Sequence, residues 1–110
     1  MRRTLSSSKL PLRNPKKDCI LIVEDHREFR NYLKDCLVEN YQVLTASNGV
    51  EGLEIARQLI PDLVISDWMM PMMDGEELCQ KIKGDIKTSH IPVVLLTAKK
   101  VRGKPAQSIG

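Results

Sequence analysis

Cys19-Ile-Leu-Ile-Val-Glu-Asp25 is five apolar residues in a row followed at once by two acids. The run has strand length, contains β-branched residues and shows no polar alternation. It therefore reads as a strand buried on both faces, as in a parallel sheet. Residues 26–39 follow with Phe29, Leu33, Cys36 and Leu37 at helical spacing, and Asp25 is placed to cap that helix. Tyr41 to Ala46 reads as a second strand, and Ser47-Asn48-Gly49 as a turn. Residues 50–60 carry Val50, Leu53, Ala56 and Ile60 on one helical face, ended by Pro61. Asp62-Leu-Val-Ile-Ser-Asp67 is a third apolar strand that again ends in a carboxylate. Pro71 and Asp74-Gly75 mark a loop. Glu76 to about Ile86 is a third helix with Leu78, Cys79 and Ile82 inward, and Pro92 to Leu96 is a fourth strand running into Thr97-Ala98.

The order β-α-β-α-β-α-β predicts an α/β domain: a doubly wound parallel sheet, helices on both faces, right-handed crossovers. In such sheets the functional crevice lies beyond the carboxyl ends of the strands. That rule selects Glu24, Asp25, Asp67 and Thr97. Taken singly, each has a plain reading: a solvated loop acid, a helix cap, a turn residue, a strand-end hydroxyl. Together they place three carboxylates and a hydroxyl at one edge. Carboxylates held close repel unless a proton or a cation intervenes. Mg²⁺ suits an all-oxygen site with few carboxylates and several waters. Such an ion neutralises charge in phosphoryl transfer, and an Asp carboxylate is a competent nucleophile there.

The 110 residues suffice for one domain with a core of its own. A composition of 42% hydrophobic and 28% charged residues argues against wholesale disorder, collagen and coiled coil. No apolar run approaches the ~20 residues that span a bilayer, and no secretory signal precedes the domain. Cys19, Cys36 and Cys79 are odd in number and widely spaced, which disfavours disulfides and zinc. They read as buried thiols in a reducing, cytoplasmic compartment. The net charge of +3 is unevenly placed. Residues 1–17 hold six Lys/Arg and no acid, residues 99–110 hold four and no acid, and every acid lies between. The body is thus acidic and lacks an aromatic stacking platform, so it is not expected to bind nucleic acid directly. Residues 1–17 read as a basic Ser/Pro-rich linker or tail and 101–110 as a disordered basic tail. Met69, Met70, Met72 and Met73 read as loop packing, with a partner-binding surface the alternative. No nucleotide-binding Gly-rich loop, metalloprotease helix or nucleophile elbow is present.

Three segments resemble the receiver domain of bacterial response regulators: Ile20 to Asp25, Pro61 to Gly75 with its Asp-x-x-x-Pro-x-x-Asp-Gly pattern, and Ile91 to Ala98. The resemblance runs from about Asp18 to Lys99, within a domain placed at residues 18–100. It implies a flavodoxin-like fold with strand order 2-1-3-4-5. It implies that Asp67 accepts a phosphoryl group from a histidine kinase or histidine phosphotransfer domain. It also implies that Glu24, Asp25, Asp67 and the backbone carbonyl of Met69 hold Mg²⁺, and that Thr97 is the switch hydroxyl. The basic lead-in resembles the segment before a receiver in hybrid sensor kinases. The chain is read as a signalling domain rather than an enzyme.

After Thr97 only 13 residues follow, too few for the helix, fifth strand and last helix of that family. The sequence therefore reads as truncated after strand four. Lys104-Pro105 comes seven residues after Thr97 and is not assigned the family lysine's role. Strand four becomes an exposed apolar edge, so a homodimer through that edge, segment exchange or marginal stability is expected. The alternative function is a degenerate, non-phosphorylated receiver used for docking or dimerisation. A free-standing Mg²⁺-dependent phosphatase is disfavoured, since no second acid is placed to protonate a leaving group.

Overall fold

The computed structural model describes residues 10–96. Seven elements follow in order: β1 (Cys19–Val23), α1 (Arg27–Leu37), β2 (Gln42–Ala46), α2 (Gly49–Leu59), β3 (Leu63–Asp67), α3 (Gly75–Lys83) and β4 (Val93–Leu96). They form one parallel sheet in the order β2-β1-β3-β4. The chain steps from β1 outward to β2, then returns past β1 to β3 and β4. With right-handed crossovers, that reversal puts α1 on one face of the sheet and α2 and α3 on the other. Accordingly α1 packs on β1 and β2, while α2 and α3 pack on each other.

All five residues of β1 are buried, which the unbroken apolar run requires of a central strand. Side chains alternate across the sheet. Cys19, Leu21 and Val23 join Leu44, Ala46, Val64, Leu53, Ile55, Ala56, Leu78 and Ile82 in the main core, on the face covered by α2 and α3. The opposite face is more thinly covered. No residue of α1 is fully buried, and Cys36 is exposed. The expectation of three buried thiols is thereby corrected: Cys19 is buried, Cys79 is partly buried and Cys36 is open. On α2 the expected inward residues Leu53 and Ala56 are buried and Ile60 packs on the core, but Val50 is 48% exposed and Ile55, not expected inward, is 6% exposed. Gly49 and Gly52 also pack closely, since a Cβ there would lie 2.6 Å from Met73 O and 2.7 Å from Val23 Cγ2, respectively.

Helix α2 ends at Ile60, whose φ of 46° lies in the left-handed region. A β-branched residue pays sterically there, by about 1–2 kcal/mol. Pro61 then blocks continuation. The carbonyls of Leu59 and Ile60, left over at the helix end, accept hydrogen bonds from Arg13 Nη1 at 3.2 and 2.8 Å. After α3, Thr88 is fully buried and donates from Oγ1 to Ile82 O at 2.6 Å, tying the 84–91 turn to the helix. Among the described residues β4 pairs only with β3. Thr97, Lys104 and the 101–110 tail lie outside the described residues.

Candidate functional site

The site grows out of the strand register. Val23 pairs with Ser66, so the next residue on each strand, Glu24 and Asp67, meets at the carboxyl end of the two central strands. Glu24 is 1% exposed and Asp67 3% exposed, whereas Asp25 is partly exposed. Each of the three offers a carboxylate oxygen within 4.8 Å of the others. Two buried acids and a third at their rim make a deep, strongly negative corner.

The acids are positioned by backbone contacts. Glu24 N donates to Ala46 O at 3.0 Å, which holds the β1 end against β2. Arg30 Nη1 donates to Glu24 O at 2.9 Å, so the first turns of α1 brace the acid-bearing turn. Glu24 Oε2 accepts from His26 N at 2.9 Å. His26, not Asp25, is the N-cap of α1, its Nδ1 accepting from Phe29 N at 3.5 Å. This corrects the expectation that Asp25 caps the helix and leaves its carboxylate in the acidic group. On the other strand, Trp68 N donates to Leu96 O at 3.0 Å, tethering the exit of β3 to β4.

The loop after Asp67 is folded tightly on itself. Gly75 N donates to Trp68 O at 2.8 Å and closes the loop, and Met73 N donates to Pro71 O at 2.8 Å around Met72, whose φ is 72°. Met70 and Met73 are buried and anchor the loop, while Met69 and Met72 are exposed. Gly75 has no room for a side chain: a Cβ there would lie 2.4 Å from Asp67 O. Asp74 Oδ1 accepts from Glu77 N at 2.9 Å and caps α3. The Asp-Gly pair read from sequence as a loop is therefore the start of a helix packed against the back of Asp67. The Asp74-x-x-Glu77 spacing is the signal for that start. Arg30 was not singled out from sequence, because nothing in local spacing foretells a bond to a carbonyl six residues back.

Among the described residues, Glu24, Asp25 and Asp67 are the one group with the donor count for a metal. Their atoms are all carboxylate oxygens, the donor type that hard divalent cations take. Ligand oxygens around a small cation lie roughly 3–4 Å apart, a spacing these side chains reach with small adjustments. The residues present fit such an ion.

A family model described as response regulator receiver domain matches residues 20–109. The chain belongs to the response regulator receiver domain family. This receiver domain is 57% identical over 83 residues to Histidine kinase P4 of Formosa agariphila, an alignment covering 76% of this chain and 6% of that protein. It is 42% identical to Hybrid signal transduction histidine kinase D of Dictyostelium discoideum, again over 76% of this chain, and 5% of that one. The chain thus spans a small fraction of the kinases it matches. Among solved structures, the receiver domain of a histidine kinase from Syntrophus aciditrophicus superposes with a TM-score of 0.69 at 44% identity, covering 73% of this chain and 61% of that one. The chemotaxis protein CheY4 of Vibrio cholerae superposes equally well at 28% identity, with coverage of 81% and 79%. The receiver domain fold expected from sequence, with strands in the order 2-1-3-4, is the fold observed. Among the described residues no helix is long and apolar enough to cross a membrane.

Proposed function

We propose that this receiver domain takes a phosphoryl group from a phosphorylated histidine of a kinase or histidine phosphotransfer domain onto Asp67, in a reaction that requires Mg²⁺. A carboxylate oxygen of Asp67 forms the new bond to phosphorus. The phosphorus–nitrogen bond of the donor breaks, and the imidazole leaves with the electron pair and takes up a proton. Glu24, Asp25, Asp67 and the backbone carbonyl of Met69 would hold the Mg²⁺. When bound, that ion supplies positive charge that offsets the phosphoryl oxygens and the crowded carboxylates. Asp67 stays aimed because β3 is paired on both sides and because Gly75 and Trp68 lock the loop behind it. Thr97, which follows Leu96 in the sequence, is assigned the hydroxyl that donates to a phosphoryl oxygen. Phosphohistidine donors and free thiols fit a reducing, cytoplasmic setting.

The observation that carries this reading is the convergence of three acid side chains, two of them buried, within 4.8 Å at the ends of adjacent central strands. Incubation with Mg²⁺ and acetyl phosphate or phosphoramidate, followed by intact mass measurement, tests it. One added phosphoryl group in the parent, lost in Asp67→Asn and on chelation of Mg²⁺, is the expected result. A folded parent that takes up none would instead favour a docking module without phosphoryl chemistry.

A further inference from the structure

The segment ahead of β1 has the composition of a solvated linker, yet residues 10–17 are bound to the domain at several independent points. Arg13 is the centre of the attachment. Its Nη1 donates to the last two carbonyls of the α2 end, and its Nη2 pairs with Asp62 Oδ2 at 3.0 Å. The same Asp62 oxygen accepts from Cys19 N at 2.7 Å, so one carboxylate joins the lead-in, β1 and the entry to β3. Gln42 at the start of β2 makes a two-way bond: its Nε2 donates to Leu12 O and its Oε1 accepts from Asn14 N, both at 2.8 Å. Asn14 in turn accepts from Lys16 N through its side chain, at 2.8 Å, and from Lys17 N through its carbonyl, at 3.2 Å. Leu10 packs on the main core. With Pro11 it forms one wall of a groove of about 340 Å³ whose other wall is β2 and α2, at Val43, Thr45, Glu54 and Ile55.

We propose that residues 10–17 are a docked strap, latched by Arg13 and Gln42, that delivers the upstream polypeptide at a fixed place beside the outer edge of β2. The occupant of this surface is the chain's own lead-in. The attachment answers two local needs at once. It satisfies the carbonyls at a helix end closed by a left-handed isoleucine, and it lies beside β2, which among the described residues pairs only with β1. It also removes eight residues from any tether to a preceding domain. A partner joined upstream is thus tethered from a fixed point beside β2 and by a correspondingly shorter tether, which narrows the volume it samples around the domain. The strap stands whether or not Asp67 accepts a phosphoryl group, since none of its residues belongs to the acidic site.

Amide exchange and heteronuclear NOE measurements on the full ¹⁵N-labelled chain test the docking. The amides of Asn14, Lys16 and Lys17 are expected to tumble with β1. The Asn14 amide is expected to exchange at least about tenfold more slowly than an unstructured one, the size of one or two net hydrogen bonds. Gln42→Ala and Arg13→Met, singly and together, should abolish that protection while leaving the exchange of β1 and the uptake of phosphate unchanged. Should Arg13→Met unfold the domain, Gln42→Ala alone carries the test, because it removes two strap bonds and no core side chain. A nitroxide at Ser8→Cys, in a Cys36→Ser and Cys79→Ser background, reads the direction. Broadening should be strongest at β2 and α2 and weakest at β4, and should even out in the double strap variant. Free tumbling of Asn14 to Lys17 in the parent, or broadening that the strap variants do not redistribute, overturns the proposal.

Discussion

Gly75→Ala tests how the loop behind Asp67 holds the site. A Cβ at this position would sit 2.4 Å from Asp67 O, 3.0 Å from Trp68 Cα and 3.0 Å from Leu95 Cδ2. A carbon–oxygen contact relaxes only at about 3.3 Å, so nearly an ångström must be found. Two of the three neighbours are backbone and cannot rotate away. Overpacking of this kind costs about 1–3 kcal/mol, and the rigid neighbours put this case at the upper end. The better helix propensity of Ala returns at most about 1 kcal/mol. A net loss of about 2–3 kcal/mol lowers the melting temperature of a domain this size by about 10–20 °C. The displaced atoms include the carbonyl of Asp67 itself, so phosphoryl uptake should fall further, by about a hundredfold for a shift near 1 Å. The assay is a circular-dichroism melt alongside intact-mass kinetics well below the melting point. Gly84→Ala is the control: its Cβ would come no closer than 3.2 Å to Gln80 O, and φ there is −84°, so its stability should change by less than about 1 kcal/mol. A Gly75→Ala protein that melts within roughly 2 °C of the parent and accepts phosphate at the parental rate would refute this account of the loop.

Mg²⁺ at about a hundredfold its dissociation constant should stabilise the parent by about 2.7 kcal/mol, read as a higher melting temperature. Asp67→Asn should flatten that response. Burial raises the Cys19 thiol above its ordinary pKa; Arg13 opposes the shift and Asp62 adds to it. The native state therefore keeps this proton when the unfolded chain loses it. The stabilisation is complete below about pH 8.5 and is lost as pH rises above that point, a slope that urea melts should show and Cys19→Ala should remove. A disulfide-exchange reagent at neutral pH should modify exposed Cys36 first and Cys19 only on unfolding. Ile82→Ala empties a fully buried core position and should cost about 2–5 kcal/mol by denaturant titration.

The central strand β1 is legible because a strand buried on both faces leaves a continuous apolar run, and the acids that follow β1 and close β3 stand out against such runs. Glu24, Asp25 and Asp67 were found by that rule alone, and their convergence followed from strand order. Helix faces were read less well. Periodicity shows which side of a helix is apolar but not how much covers it, so Cys36 was placed inside although α1 is only lightly packed. On α2 the apolar stripe includes Val50, yet Val50, in the first turn, is exposed while Ile55 is buried. The cap of α1 moved by one residue because Asp25 and His26 are adjacent and both can accept from the first-turn amides. Arg13 was invisible in sequence. Its partners are carbonyls and a carboxylate more than forty positions away, and a basic stretch rich in serine and proline gives no sign of them.

The acidic corner draws on two strands that lie side by side in space but are separated in the chain by a whole helix–strand–helix excursion. A nascent or partly unfolded molecule therefore possesses Asp67 without the two acids that lie beside it in the folded domain. On the proposed reading, the capacity to take up a phosphoryl group arrives only with completion of the fold, and a half-made copy is silent.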